Sequence, residues 1–281
     1  MYIKKRTLNN FLAYLKENEH STNTILKYER DIKKFINFLC NRQIEKNEVI
    51  EFKKELMKKY KVSSVNSMLA AVNVFLKFIG KHNCTVKRIK TQPKSFCSEK
   101  RKLTVKDYKK LLKAAKRIGD EQLLMMLQVI CATGIRVSEL PYFNVESLKK
   151  NVLEVNNKGK SRIILIPRKL VRELKKYCDK FKIHTGCIFQ TKNKKPIDRK
   201  AIWLRMKNLC KIAKVNPEKV FPHNLRHLFA ETFYKIKNNL VELSCIFGHS
   251  SIETTRRYLM PNVNNCLYTL DSMPLVIECL T

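Results

Sequence analysis

Apolar residues recur at helical spacing along most of the chain, and this pattern gives way to extended runs in one short stretch, Leu153 to Pro167. A chain patterned in this way must bury helix stripes mainly against other helices, so the fold expected is mainly α with a small β-sheet. In the first third, Leu8, Phe11, Leu12 and Leu15 form one stripe. Ile25, Tyr28, Ile32, Phe35, Ile36 and Leu39 form another behind a Ser21 to Thr24 start signal. With Ile50 to Met57, and with Val65, Met68, Leu69, Val72, Phe75, Leu76 and Ile79 up to Gly80, they predict a four-helix unit over residues 1–86.

The segment Lys87 to Lys102 carries seven basic residues, one acid and a proline without any sustained period, which predicts an extended linker. A second domain over 103–281 follows. Helical signals run from Leu103 to Ala115, Gln122 to Ile130, Lys169 to Tyr177, Ala201 to Ala213, Leu225 to Ile236, Val241 to Phe247 and Ile252 to Leu259. LEVNNKGKSRIILIP reads as a β-hairpin turning at Lys-Gly-Lys.

Charge narrows the function. Fifty-eight Lys and Arg against 24 Asp and Glu give a formal charge of +34, which repels itself unless a polyanion lies alongside. A nucleic acid is the partner this implies, ahead of a membrane surface. The ten cysteines show no CxxC pair or zinc-type spacing and read as reduced cytosolic thiols. The start lacks a signal-peptide core and no apolar run reaches membrane-spanning length, so a cytoplasmic protein without membrane contact is expected.

Three segments carry chemistry. In CATGIRVSEL, Arg136 follows Gly134 at the end of an apolar helix, where it could cap carbonyls, pair with Glu139 or bind an anion. In FPHNLRHLFAETFY, Pro222 suits a first helical turn; Leu225, Phe229 and Phe233 share a core face, while His223, Arg226 and His227 share another. In FGHSSIETTRRYLMP, Ser250 and Glu253 have capping-box spacing and Pro261 ends the helix, holding His249 in the turn before it and Tyr258 near its end. Taken singly, each of these residues has an ordinary structural explanation.

Together, in order and spacing, the segments resemble the signature of the tyrosine recombinase family of bacterial and phage integrases. TGIRVSEL resembles its first arginine box, HNLRHLFA its HxxR box and FGHSSIETTRRYL its histidine and nucleophile box. From Arg136 it is 87 residues to His223, three more to Arg226, 23 to His249 and nine to Tyr258. STNTILKYERDIKKFINFL resembles the family's helical core-binding (SAM-like) domain. KGKSRIILIP is similar to the family's lysine hairpin, although its spacing to the proline differs by about a residue. Lys158 and Lys160 therefore compete, and Lys158, which opens the turn, is chosen.

The resemblance implies a helical core-binding domain and a mixed α+β catalytic domain forming a C-shaped clamp on double-stranded DNA. It implies a site of Arg136, Lys158, His223, Arg226, His249 and Tyr258, working without cofactor or metal. The arginines would hold phosphate oxygens, Tyr258 would attack, Lys158 would protonate the leaving oxygen, His223 would accept the tyrosine proton and His249 would donate a hydrogen bond. The chain leaves no room for an extra arm-binding domain, which leans toward a simple Xer-like or transposon-borne enzyme. The partners implied are DNA, a tetramer of this chain on two DNA sites and accessory DNA-bending proteins. Leu267, Tyr268, Leu270, Leu275, Val276, Ile277 and Leu280 form an apolar tail suited to docking on a neighbouring protomer or on its own domain. A type IB topoisomerase-like relaxing enzyme and a catalytically silent DNA-binding protein are the rival readings.

Overall fold

The computed structural model describes residues 5–40, 42–90, 102–157, 160–191 and 193–259; Lys158 and the apolar tail lie outside the described residues. The chain divides into two compact units, Met1–Pro93 and Lys94–Thr281.

The first unit consists of α1 (Lys5–Glu17), α2 (Thr22–Leu39), α3 (Lys46–Lys59) and α4 (Val62–Phe78). Ser21 caps α2 by accepting the Thr24 N–H at 3.4 Å, and Gly80, at φ 76°, takes the left-handed conformation after α4. The apolar stripes meet in a core of Phe11, Ile32, Phe35, Phe52, Val65, Leu69, Val72 and Phe75, with α4 packed on both α2 and α3. Burying each such side chain contributes about 1.5–3 kcal/mol. Two asparagines on α4 then act as substitute backbone. Asn73 exchanges hydrogen bonds of 2.8 and 3.0 Å with the Val86 carbonyl and N–H, and Asn66 does the same with Ile89 at 2.9 and 2.8 Å. Lys53 also donates to the Lys87 carbonyl at 2.8 Å. The first residues of the basic stretch are thus tied to the helical unit.

The second unit begins with α5 (Val105–Arg117), which opens on a reciprocal capping box between Thr104 and Asp107, and continues with α6 (Glu121–Thr133). A 3-10 helix (Val137–Tyr142), α7 (Ser147–Lys150) and the antiparallel strands β1 (Val152–Asn157) and β2 (Lys160–Leu165) follow. Then come α8 (Arg168–Lys180), α9 (Arg199–Ala213), α10 (Pro222–Lys237), α11 (Leu240–Phe247), α12 (Ile252–Arg256) and a 3-10 turn, Arg257–Leu259. Apolar on nearly all sides, α6 is the central helix: α5, α8, α9 and α10 all pack on it. Along the hairpin Leu153, Val155, Ile164 and Ile166 enter the core while Ile163 and Leu165 face outward, the two-residue alternation of a half-buried ribbon.

One local expectation is revised. Ser250 does not cap α12; the Thr254 N–H bonds the Ser251 carbonyl at 3.1 Å, so the helix starts one residue later, and no side-chain cap is present. The helix also tightens to 3-10 geometry at Arg257, which rotates Tyr258 inward to 8% exposure.

Candidate active site

The site lies where the ends of α6 and α11 meet the first turns of α10. The left-handed Gly134 (φ 62°) terminates α6, buried Ile135 anchors the chain, and Arg136 follows in extended conformation at the mouth of the 3-10 helix. Glu139, 1% exposed, turns back to accept the Arg136 N–H at 2.8 Å and pairs with its guanidinium at 3.3 Å. A carboxylate buried this deeply needs cations, and Arg162 on β2 supplies a second at 2.7 Å. Arg136 therefore does pair with Glu139, yet its side chain stays 42% exposed and lines an open cavity of about 780 Å³ with His223 and Arg226. The cavity's other wall includes Arg199, Lys200 and Trp203 of α9.

Pro222 opens α10, placing His223, Arg226 and His227 on the face toward Tyr258. Arg226 is 1% exposed and its donors are all directed. Its Nε donates to the Tyr258 hydroxyl at 3.3 Å, one Nη to the Gly134 carbonyl, and the other to the Phe247 carbonyl at 3.4 Å and to His249 Nε2 at 3.0 Å. Because a guanidinium has no acceptor, His249 Nε2 accepts and Nδ1 carries the proton in the neutral ring. Nδ1 then donates to Thr255 Oγ1 at 2.7 Å. The turn that presents His249 is formed by Gly248, at φ 60°, and by the His249 N–H bonding the Ser244 carbonyl at 3.1 Å.

Tyr258 is boxed by rings: His227 at 4.4 Å, Phe247 at 5.1 Å, His223 at 5.3 Å and His249 at 5.9 Å between centroids. Burial and neighbouring cations disfavour further positive charge. Burial, and then Arg226, lowers His249 to about 4; burial, and then His223, lowers His227 to about 4. His223 is lowered by the same causes, burial first and then Arg226 and Arg136. Burial also lowers Arg226 to about 10, against the opposing pull of Tyr258. A cluster of this kind is electrostatically prepared for an anion.

The structure thus brings Arg136, His223, Arg226, His249 and Tyr258 together. Lys158 lies outside the described residues; the register pairs Asn157 with Lys160, so Lys158 and Gly159 are the two residues between the strands. Sequence reasoning did not single out Arg162 or Thr255. Strand alternation held a signal for the first, since Arg162 shares the inward face with Ile164 and Ile166. Thr255 lies three residues before Tyr258, on the same side of a short helix. Among the described residues, no cluster of three or more His, Cys, Asp or Glu is placed to hold a metal ion.

The two units and this constellation define a DNA strand-cleaving and rejoining enzyme: the Phage integrase family profile matches residues 101–265, and the chain belongs to that family, the tyrosine recombinases. Residues 8–83 match the phage integrase N-terminal SAM-like domain. Among curated relatives, tyrosine recombinase XerA of Pyrococcus furiosus is 29% identical, with 91% of this chain and 90% of the relative covered. Tyrosine recombinase XerC of Herpetosiphon aurantiacus is 27% identical, with 90% of each covered. The fold is similar to that of a lambda integrase dimer bound to a core site, at TM-score 0.72 and 17% identity, covering 91% of this chain and 94% of that one. It is also similar to XerH recombinase bound to its difH substrate, at TM-score 0.71 and 16% identity, covering 97% and 86%.

Proposed function

We propose that this enzyme carries out site-specific recombination through a 3′-phosphotyrosine intermediate at Tyr258, with Arg136, Lys158, His223, Arg226 and His249 as its remaining active residues. The observation that supports the reading is the 3.3 Å contact of Arg226 Nε with the Tyr258 hydroxyl, a phenol against a buried cation beside an open, basic cavity. The scissile phosphate enters there. Arg136, the more exposed guanidinium, and Arg226 take its non-bridging oxygens and stabilise the charge that grows on them as the phosphorane forms.

The Tyr258 oxygen attacks phosphorus, its proton passes to His223, and the bond from phosphorus to the 5′ oxygen breaks. Lys158 protonates that oxygen, which otherwise leaves poorly. A 5′ hydroxyl from the second duplex then attacks the phosphotyrosine, releasing Tyr258 and restoring a phosphodiester, so the bond energy is conserved without ATP. His249 changes roles as phosphate binds: in the free site its Nε2 accepts from Arg226, and to donate to phosphate it must carry a proton there.

The roles assigned along the chain are a core-binding domain at 1–86, a basic linker at 87–102 and a catalytic domain at 103–281. The working species is a tetramer on two duplexes, built through the tail after Pro261, with accessory DNA-bending proteins as further partners and the cell interior as its location. Among the described residues no helix is long and apolar enough to cross a membrane.

A nicked substrate that traps the covalent complex tests the chemistry. The wild type should form a complex stable in denaturant and Tyr258→Phe none, and a covalent complex with the Phe variant overturns the nucleophile assignment. A plasmid carrying two sites separates recombination from its rival, since a relaxing enzyme would return unwound circles without rearranged products.

A further inference from the structure

We propose that Arg162 is a positioning residue for strand cleavage, holding strand β2 in register with the His249 turn so that the lysine preceding the strand meets the leaving oxygen. The inference rests on the reading of that lysine as the general acid. Arg162 lies opposite Val155, which is 1% exposed, and this pair is the last inward-facing one before the tip among the described residues. Nearer the base, the hairpin is held by the apolar side chains Leu153, Ile164 and Ile166. Toward the tip, besides Val155 and a 3.5 Å hydrogen bond from the Tyr142 hydroxyl to the Asn156 carbonyl, its anchorage among the described residues is Arg162.

Two segments far apart in sequence, around Glu139 and over Ile246 to Gly248, converge on this one side chain. One Nη donates to Glu139 at 2.7 Å, the carboxylate that also holds Arg136. The other donates to the Phe247 carbonyl and, at 3.5 Å, to the Ile246 carbonyl. These are end carbonyls of α11, where the helix dipole is negative and cations are favoured. The Phe247 carbonyl also accepts from Arg226. The stem of Arg162 lies flat on the following turn, where a Cβ at Gly248 would come within 2.9 Å of Arg162 Cδ. Arg162 therefore shares an acceptor with each phosphate-binding arginine and touches the turn that presents His249, while being part of the strand that leads to the lysine.

Stability alone is a poor reason for such a residue. The side chain is 11% exposed and its buried Nε finds no partner among the described residues. An apolar side chain of similar volume would fill the space without that loss. What an apolar side chain lacks is a forked set of directed donors, which fixes the strand's position along its own axis as well as its depth.

The test compares single-turnover cleavage of a normal site with one in which the leaving 5′ oxygen is sulfur, a leaving group that needs no proton. The proteins are wild type, Arg162→Lys, Arg162→Gln, Lys158→Ala and Lys160→Ala. A lysine keeps charge beside Glu139 but cannot span both acceptors. Arg162→Lys should cleave the oxygen substrate about 10²-fold more slowly, the usual consequence of misplacing a catalytic group by about 1 Å. On the sulfur substrate it should come within about threefold of wild type, since a misplaced acid no longer matters. Half-site binding and thermal melting report folding; should Arg162→Gln unfold, Arg162→Lys carries the test, and unfolding of both would overturn the proposal by making Arg162 a fold residue. Equal slowing on both substrates would mean that it acts through Arg136 or His249, and wild-type rates on oxygen would remove it from the reaction; either outcome overturns the proposal. Rescue by sulfur of Lys160→Ala instead of Lys158→Ala would move the acid by two residues and leave Arg162's role standing. No rescue of either lysine variant would refute the general-acid reading itself.

Discussion

Arg226 shows how much a single residue can organise: one guanidinium joins the α6 terminus, the α11 terminus, His249 and Tyr258. Arg136 differs: one Nη pairs with Glu139 at 3.3 Å, yet the side chain stays 42% exposed, and in the proposed mechanism its open donors take phosphate oxygens. Arg136→Lys should therefore lower cleavage severely, by at least about 10²-fold in single turnover, while half-site affinity stays within severalfold, since a point charge attracts DNA but does not orient a phosphate. Wild-type cleavage in that variant would make Arg136 a structural partner of Glu139 and nothing more.

The lowered histidines make a second prediction at this scale. His227 and His249 are held near 4 when folded against 6.5 for a free imidazole, so between those values the unfolded chain binds more protons than the folded one. The stability this confers is complete above pH 6.5 and is lost as pH falls toward 4. Thermal melts of the DNA-free protein should show a declining Tm across that window, and His227→Gln should flatten the decline. An unchanged slope in the variant would show that His227 is not among the groups being titrated.

At the scale of elements, the site depends on helix ends more than on helix bodies. Gly134 ends α6 in the left-handed region, offers its carbonyl to Arg226 and leaves room for aromatic rings: a Cβ there would come 2.5 Å from Phe229 Cδ1 and 2.7 Å from Phe247 Cε1. Gly134→Ala should cost about 1 kcal/mol for the backbone conformation. Crowding of the rings should add about 1–3 kcal/mol. Because Phe247 packs against Arg226 and Tyr258, cleavage should fall along with stability. Urea denaturation measures the first effect and single-turnover cleavage the second; an alanine variant as stable as wild type would mean that α11 moves aside freely.

At the scale of the whole molecule, the charge of +34 favours a polyanionic partner, and the proposed function gives the tail the task of assembly. Truncation after Asn262 removes an apolar segment but none of the basic units, so affinity for one half-site should stay roughly constant at fixed salt. If the tail docks on a neighbouring protomer as proposed, cooperative filling of a two-half-site duplex should weaken and recombination should fall. Gel-shift titration of half and full sites with both proteins checks this, and unaltered cooperativity would assign the tail to its own domain.

The elements themselves were legible in the sequence, because they obey local rules. The stripes of α2 and α4 follow the helical period, Thr104 and Gly134 mark a start and a stop, and the order and spacing of Arg136, His223, Arg226, His249 and Tyr258 resemble the signature of the family to which the chain belongs. Tertiary structure alone decided which donors those residues would satisfy. Glu139 holds both Arg136 and Arg162, the α11 carbonyls receive Arg162 and Arg226, and His249 is set as an acceptor by Arg226 and Thr255. Apart from the local Glu139–Arg136 and His249–Thr255 pairs, these contacts join residues 21 to 85 positions apart, as Phe247 is from Arg226 and from Arg162. No local period encodes them: a buried polar group takes whichever partner packing brings within about 3 Å, and only the folded chain fixes which one that is.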